Sequence, residues 1–243
     1  MRSASSGHPP AAPTPVAPLA AAARDALAGA LSLVFPTWCA GCDLADATLC
    51  APCRAALQPE VRTRALGGTF TVFAGLPFEG VVARVLRAYK EEGRTALAAP
   101  LAVALRAAAH AALADGPGEP VIVVPVPTSP GAMRRRGYRV VQLLARHAGL
   151  HPQRALRAGV RAADQRGLGA EDRERNVTGS MRLGRGWDTR LAGRAVLLVD
   201  DVVTTGATLR EAARALSAGG ARVVGAATVA STPRRRFLTA TGR

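Results

Sequence analysis

The chain has 243 residues, 49% of them apolar, which is enough for one α/β unit with a small appendage and a packed core built mainly of Leu, Val and Ala. Its formal charge is +15, and Lys90 is the only lysine, so the excess is arginine and points to polyanions (nucleic acid, pyrophosphate or both) unless it is simply a basic surface. The best membrane-span candidate, Ala17 to Phe35, is broken by Arg24 and Asp25 and lacks the features of a secretory signal, so no membrane span and a cytoplasmic location are expected.

Residues 1–18 are rich in Pro, Ala and Ser and read as a disordered tail. Leu19, Ala23, Leu27, Leu31 and Val34 fall at helical spacing, and Pro36 ends that pattern. Cys39-Ala-Gly-Cys42 and Cys50-Ala-Pro-Cys53 follow, and they hold all the cysteines of the chain. Two such knuckles can wrap one structural Zn²⁺ with four thiolates, with Gly41 and Pro52 suiting the turns. A pair of redox disulfides is the rival reading, disfavoured where no export signal is seen. Residues 19–60 are thus expected to form a helix plus a zinc ribbon.

Residues 55–69 read as a linker, Thr69 to Ala74 as a strand, and Pro77 to Gly80 as a turn. Val81, Val82, Val85, Leu86 and Tyr89 mark one face of a helix that ends near Gly93. A second helix is expected to start at Pro100; His110 within it reads as a surface or boundary residue. Val121 to Val124 is a second apolar strand, followed by Pro125-Val126-Pro127-Thr128-Ser129-Pro130. Arg134, Arg135 and Arg136 come next and read as the start of a helix running through Val140, Val141 and Leu144 to Gly149. Cations there oppose the helix dipole, which hints at an anion; the plain alternative is a solvated helix start.

Residues 155–160 suggest a short strand. Arg161 to Asn176 is polar, glycine-containing and charge-mixed, and reads as a mobile loop. Gly167-x-Gly169 has neither the spacing nor the preceding strand of a dinucleotide fingerprint. The clearest stretch is Leu197 to Leu209, LLVDDVVTTGATL. Val196 to Val199 predicts a buried strand, and Leu209, Ala212, Ala213 and Leu216 predict a helix that stops at Gly219-Gly220. Val223 to Val229 predicts a parallel partner strand, with ligand at the C-terminal strand ends. Between strand and helix, Thr204, Thr205, Gly206, Ala207 and Thr208 can cradle a phosphate with loop N–H groups, hydroxyls and the helix N-terminus. Asp200 and Asp201 can accept hydrogen bonds from a vicinal diol, as a sugar would supply. Residues 233–243 are a basic tail.

The stretch around Asp200 resembles the phosphoribosyl-pyrophosphate (PRPP) motif of type I phosphoribosyltransferases: apolar residues, two acids, two apolar residues, then Thr-Thr-Gly-x-Thr. The resemblance implies an α/β fold, a parallel sheet flanked by helices, spanning residues 61–232. It implies that Asp200 and Asp201 hold the ribose hydroxyls, and that Val202 and Thr204 to Thr208 complete the PRPP site around the 5′-phosphate. It also places pyrophosphate on Pro125, Val126 and Pro127, with Arg134, Arg136, Arg161 and Arg173 neutralising it and Mg²⁺ bridging the ligand oxygens. Asp200 or Asp201 would assist catalysis as a base.

The order of motifs resembles the ComF family, which includes GntX-type proteins: Phe35-Pro36-x-x-Cys39, the four cysteines, Phe78-Glu79-Gly80, Lys90 with Gly93, Val124 to Pro127, Arg136-Gly137-Tyr138, Gln165-x-x-Leu168 with Arg173 and Asn176, and the PRPP motif. This chain departs from it in having Tyr138-Arg139-Val140 where the family has Phe-Asn-Gln, Met181 for an aromatic, and Gly169 for Ser. The resemblance implies PRPP displacement by an unknown acceptor and a link to DNA uptake or nucleotide metabolism. The second hypothesis is a non-catalytic protein that binds single-stranded DNA or senses PRPP. Excess arginine favours it and scarce aromatics disfavour it.

Overall fold

The computed structural model describes residues 37–116, 118–159 and 179–233. The expected N-terminal tail and helix, the loop from Arg161 to Asn176 with Arg161 and Arg173, and the tail from Arg234 onward lie outside the described residues.

After the first cysteine knuckle comes helix α1 (Ala51–Ala55), started by Cys50 as N-cap with proline in the first turn. Strands β1 (Arg62–Leu66) and β2 (Phe70–Pro77) follow, then helix α2 (Gly80–Glu91), a short 3₁₀ turn (Thr95–Leu97) and helix α3 (Ala98–Ala112). Next are β3 (Ile122–Pro125), α4 (Pro130–Arg136), α5 (Val140–His147) and β4 (Leu156–Ala158). The chain then gives β5 (Met181–Leu183), α6 (Asp188–Leu191), β6 (Ala195–Val203), α7 (Ala207–Ala218) and β7 (Arg222–Ser231).

The main sheet has the order β1-β2-β7-β6-β3. Its pairings are parallel except at the β1 edge, where β1 runs antiparallel to β2. A separate two-stranded ribbon pairs β4 with β5. One sheet face buries Val85, Leu101, Leu105 and Leu144 from α2, α3 and α5; the other buries Leu209, Ala212 and Leu216 from α7. Strand β6 is covered on both faces, which is why its sequence runs apolar without alternation. By length and hydropathy alone Thr95–Ala112 is apolar enough to cross a membrane, but in this fold it packs into the core with eight of its residues buried. The cysteine segment joins the same core: Cys39, Cys50, Cys53 and Leu57 share a cluster with Val82, Val85 and Leu86 of α2.

Three expectations change. The supposed linker contains β1, an edge strand in which only Leu66 is buried, so its alternation is too faint to read. β6 runs through both acids to Val203, because pairing with β7 continues past Asp200 opposite Thr228. The arginine run does not start a helix. Ser129 caps α4, its side chain accepting from Ala132 N–H at 3.2 Å, and Pro130 stands in the first turn. Arg134, Arg135 and Arg136 therefore sit in the last turn of α4, where the dipole favours cations, and the argument for an opposing anion falls.

Candidate functional site

Parallel strands β3 and β6 end side by side, with Val126 N–H donating to the Val199 carbonyl at 2.9 Å. Beyond their C-terminal ends opens a cavity of about 530 Å³. Asp200, Asp201, Val202, Thr204 and Thr208 line one side of it, and Val126, Pro127, Thr128 and Ser129 another. Arg136 from α4 and Arg87, Lys90 and Glu91 from α2 complete its charged wall. The predicted acid pair, part of the threonine loop and the proline loop thus converge on one space. Pro125, Arg134, Thr205, Gly206 and Ala207 are not among the lining residues, and Arg134 is exposed.

The two acids are buried, at 7% and 5% exposure. Each folds back on the chain: Asp201 N–H donates to Asp200 Oδ1 at 2.8 Å, and Val202 N–H to Asp201 Oδ1 at 2.7 Å. Lys90 Nζ lies 2.6 Å from Asp201 Oδ2. Asp201 is therefore satisfied on both oxygens. Burial and the neighbouring Asp201 charge push the Asp200 carboxyl up to about 8. Burial works against the Lys90 charge, but the Asp201 carboxylate outweighs it and raises the ammonium above its ordinary value. With Asp201 paired to Lys90, burial keeps Asp200 protonated at neutral pH; a divalent cation beside the pair would favour its ionised form, and carboxylate oxygens are the donors Mg²⁺ prefers. The donor set therefore fits a divalent cation.

Sequence reading gave Lys90 no role of its own; the signal was that it is the only lysine, placed at a helix end. Its helix is pinned from α4–α5. Tyr138 donates its hydroxyl hydrogen bond to the Tyr89 carbonyl, and Tyr89 Oη donates to the Val140 carbonyl at 2.8 Å. The two rings meet at 5.8 Å between centroids.

The threonine loop is braced from behind by β1. Arg64 donates to the Thr204 and Thr205 carbonyls at 2.5 and 3.1 Å, and Arg210 donates to the Thr205 carbonyl at 3.3 Å. Those carbonyls are thereby held toward the arginines. Thr205 Oγ1 accepts from Ala207 N–H at 3.3 Å, so it serves the helix start and is not a cavity hydroxyl. Gly206 has φ 84°, and a Cβ there would meet Leu66 Cδ2 at 2.6 Å. The glycine is required by the left-handed turn and by Leu66 beneath it.

The four cysteine Sγ atoms all lie within 4.8 Å of one another. A tetrahedral Zn²⁺ with Zn–S near 2.3 Å needs sulfurs about 3.8 Å apart, and Cys39 and Cys42 stand 3.5 and 3.6 Å from Cys50. Two disulfides need only two close pairs, whereas here all four sulfurs converge. Gly41 N–H and Cys50 N–H both donate to Cys39 Sγ at 3.4 Å. Burial opposes ionisation of Cys39, but these N–H donors outweigh it and bring the thiol down to about 6. A Cβ on Gly41 would stand 2.6 Å from Cys53 Sγ, so the glycine allows close approach of the knuckles; the left-handed residues here are Asp43 and Asp46. The segment docks on the main body through Arg84 with Asp43 and through Arg94, which donates to the Trp38 carbonyl at 2.6 Å and the Thr48 carbonyl at 3.2 Å.

No curated protein matches the chain. The structure of the allosteric regulatory enzyme of purine biosynthesis is similar at 18% identity and a TM-score of 0.33, over 56% of this chain and 26% of that one. This chain spans about a quarter of that protein's length. Residues 93–240 match the model of the phosphoribosyl transferase domain, a span that takes in the proline loop, the acid pair and the threonine loop but begins after Lys90. With more than half of its length matched, the chain belongs to the phosphoribosyltransferase domain family.

Proposed function

We propose that the 530 Å³ cavity binds PRPP with Mg²⁺. The observation that carries this reading is the shared lining: a diol-accepting acid pair, a braced threonine loop and the Val126–Ser129 loop face one space. Asp200 and Asp201 would accept from the ribose 2′- and 3′-hydroxyls. Thr204 and Thr208 would donate to the 5′-phosphate, helped by the N-terminus of α7. The backbone N–H groups of Thr128 and Ser129 and the guanidinium of Arg136 would receive the pyrophosphate, with Pro127 shaping the loop. Mg²⁺, when bound, would neutralise charge on the ligand oxygens.

The chemistry is displacement of pyrophosphate at C1 of the ribose by a nucleophilic acceptor: the bond from C1 to the pyrophosphate oxygen breaks and the acceptor–C1 bond forms. The protein's part is positioning and electrostatics. Asp201 is engaged by Lys90, so Asp200 is the acid left to act as a base, and only in its ionised form, which burial and Asp201 disfavour in the ligand-free pocket.

The cysteine cluster supports a structural zinc site, and its docking on α2 supports a ComF-type protein in which the zinc module and the transferase frame act together. A cytoplasmic role in nucleotide metabolism or DNA uptake follows only from that resemblance.

The test is calorimetric titration of the full chain with PRPP and Mg²⁺, beside Asp200→Asn/Asp201→Asn. Binding in the wild type and its loss in a folded variant is the expected result. A folded, zinc-loaded wild type that binds no PRPP would sink the reading.

A further inference from the structure

Behind the proline loop lies a second cavity of about 290 Å³, close to the lower edge of ligand cavities at about 300 Å³. Val126, Pro127 and Thr128 form a wall common to both cavities. The second is lined by Arg139, Arg154 and Arg157 with the amide of Gln142, and among the described residues no acid lines it. Apolar side chains, among them Met133 and Leu156, complete it.

Two further observations make these arginines unusual. Among the described residues none of Arg139, Arg154 and Arg157 meets a carboxylate. Arg157 also stands directly opposite Arg182 on the β4–β5 ribbon, and both are exposed on the same side of it. Like charges directly opposed across strands destabilise pairing. A short two-stranded ribbon with little else to hold it is a costly place for that arrangement. An anion among these guanidinium groups would remove the repulsion and gain charge-assisted hydrogen bonds.

We propose that this second cavity is a binding site for a small phosphorylated ligand, with Arg154 and Arg157 holding the phosphate and Arg139 and Gln142 completing its ring of donors. The apolar walls then cover a small uncharged group attached to the phosphate. The ligand is neither PRPP nor its acceptor. The cavity has no acid pair to take a diol, and it lies across the loop assigned above to the leaving pyrophosphate, whereas an in-line nucleophile comes from the opposite face of C1. That last step rests on the PRPP reading; the charge argument does not. Because Val126 to Thr128 belong to both walls, occupancy of one cavity is felt in the other.

The probe is phenyl phosphate without Mg²⁺, which carries a phosphate and a small apolar ring but no diol. It is titrated calorimetrically into the full chain, into Arg154→Ala/Arg157→Ala, and into Thr204→Val/Thr208→Val. Arg154 and Arg157 are exposed, and losing Arg157 relieves its repulsion with Arg182, so their variant stays folded with a thermal melt no lower than wild type's, which is checked first. The expected result is about tenfold weaker binding in the arginine variant and binding within about twofold of wild type in the threonine variant. Loss in the threonine variant alone would assign the phosphate to the first cavity and overturn the proposal. So would a folded wild type that binds no phenyl phosphate. A single-stranded oligonucleotide is titrated in parallel; if it alone binds and depends on Arg154 and Arg157, the arginines form a nucleic-acid surface and the small-ligand proposal fails. PRPP titration of the same arginine variant separates this outcome from failure of the first site.

Discussion

Lys90 Nζ lies 2.6 Å from Asp201 Oδ2, an ion pair that ties the end of α2 to the carboxylate end of β6. The carboxylate is buried and the ammonium is about a third exposed. Removing the ammonium leaves a buried charge beside a second acid, while removing both partners leaves none. Lys90→Met is therefore expected to destabilise the protein by about 1–2 kcal/mol, below the range for a fully buried pair because solvent screens the lysine. Lys90→Met/Asp201→Asn should lose less than the sum of the two single variants. Urea unfolding of the four proteins measures the coupling. Strict additivity would show that the pair contributes nothing.

Asp200 predicts a pH dependence with a definite sign. Its carboxyl is raised in the fold to about 8 from an unfolded value of 3.8, by burial and by Asp201. A raised carboxyl binds its proton more tightly when folded, so its contribution is fully present below the unfolded value. It is lost as pH rises through the folded one. Asp200→Asn keeps a side-chain oxygen for the Asp201 N–H and removes the titration. In the absence of ligand and Mg²⁺, the variant is expected to melt a few degrees above wild type near pH 8. The gap should close as pH falls toward the unfolded value. Thermal melts across that window check it, and a gap that widens toward acid would contradict the assignment.

What could be read from the sequence was local. Strand, acid pair, threonine loop and helix are contiguous from Val196 to Leu216: an unbroken apolar run marks the strand, helical apolar spacing marks the helix, and the acids and hydroxyls between them carry the motif; the cysteine spacing likewise foretold the sulfur cluster. What could not be read was tertiary. Lys90 reaches Asp201 only because α2 packs against the sheet, and Arg64 reaches Thr204 only because β1 joins the edge of it. β1 itself is nearly patternless, since an edge strand with one buried residue shows no alternation. The arginine run was misplaced for a different reason: Ser129-Pro130 is a helix start in its own right, and the cations after it close the helix.

Gly206 gives a prediction that separates backbone strain from packing. Gly206→Ala must hold φ 84° and push a methyl to within 2.6 Å of Leu66 Cδ2. The expected cost is about 1–3 kcal/mol, with PRPP affinity falling because the loop shifts. Leu66→Ala placed in the Gly206→Ala background opens the space but leaves the left-handed turn. Leu66 is a core residue, so its own truncation is costly, and the informative quantity is the coupling: the Gly206→Ala penalty should be smaller in the Leu66→Ala background than in wild type, and what remains is the conformational term. An equal penalty in both backgrounds would mean that Leu66 does not press on the loop.

Metal removal should be felt far from the cysteines. Cys39, Cys50 and Cys53 share a core cluster with Val82, Val85 and Leu86 of α2, the helix that ends at the cavity with Lys90. If one Zn²⁺ closes the four-sulfur cluster, the purified protein carries one equivalent of metal, and cobalt exchange gives the visible spectrum of a tetrahedral thiolate site. A chelator then frees four titratable thiols and lowers the melting temperature, since metal binding to the folded state adds to stability. PRPP affinity should fall with it, by loosening α2 and so Lys90. Metal-free protein with two disulfides would replace this account by the redox one. Full PRPP affinity after chelation would show that the knuckle and the cavity are energetically separate.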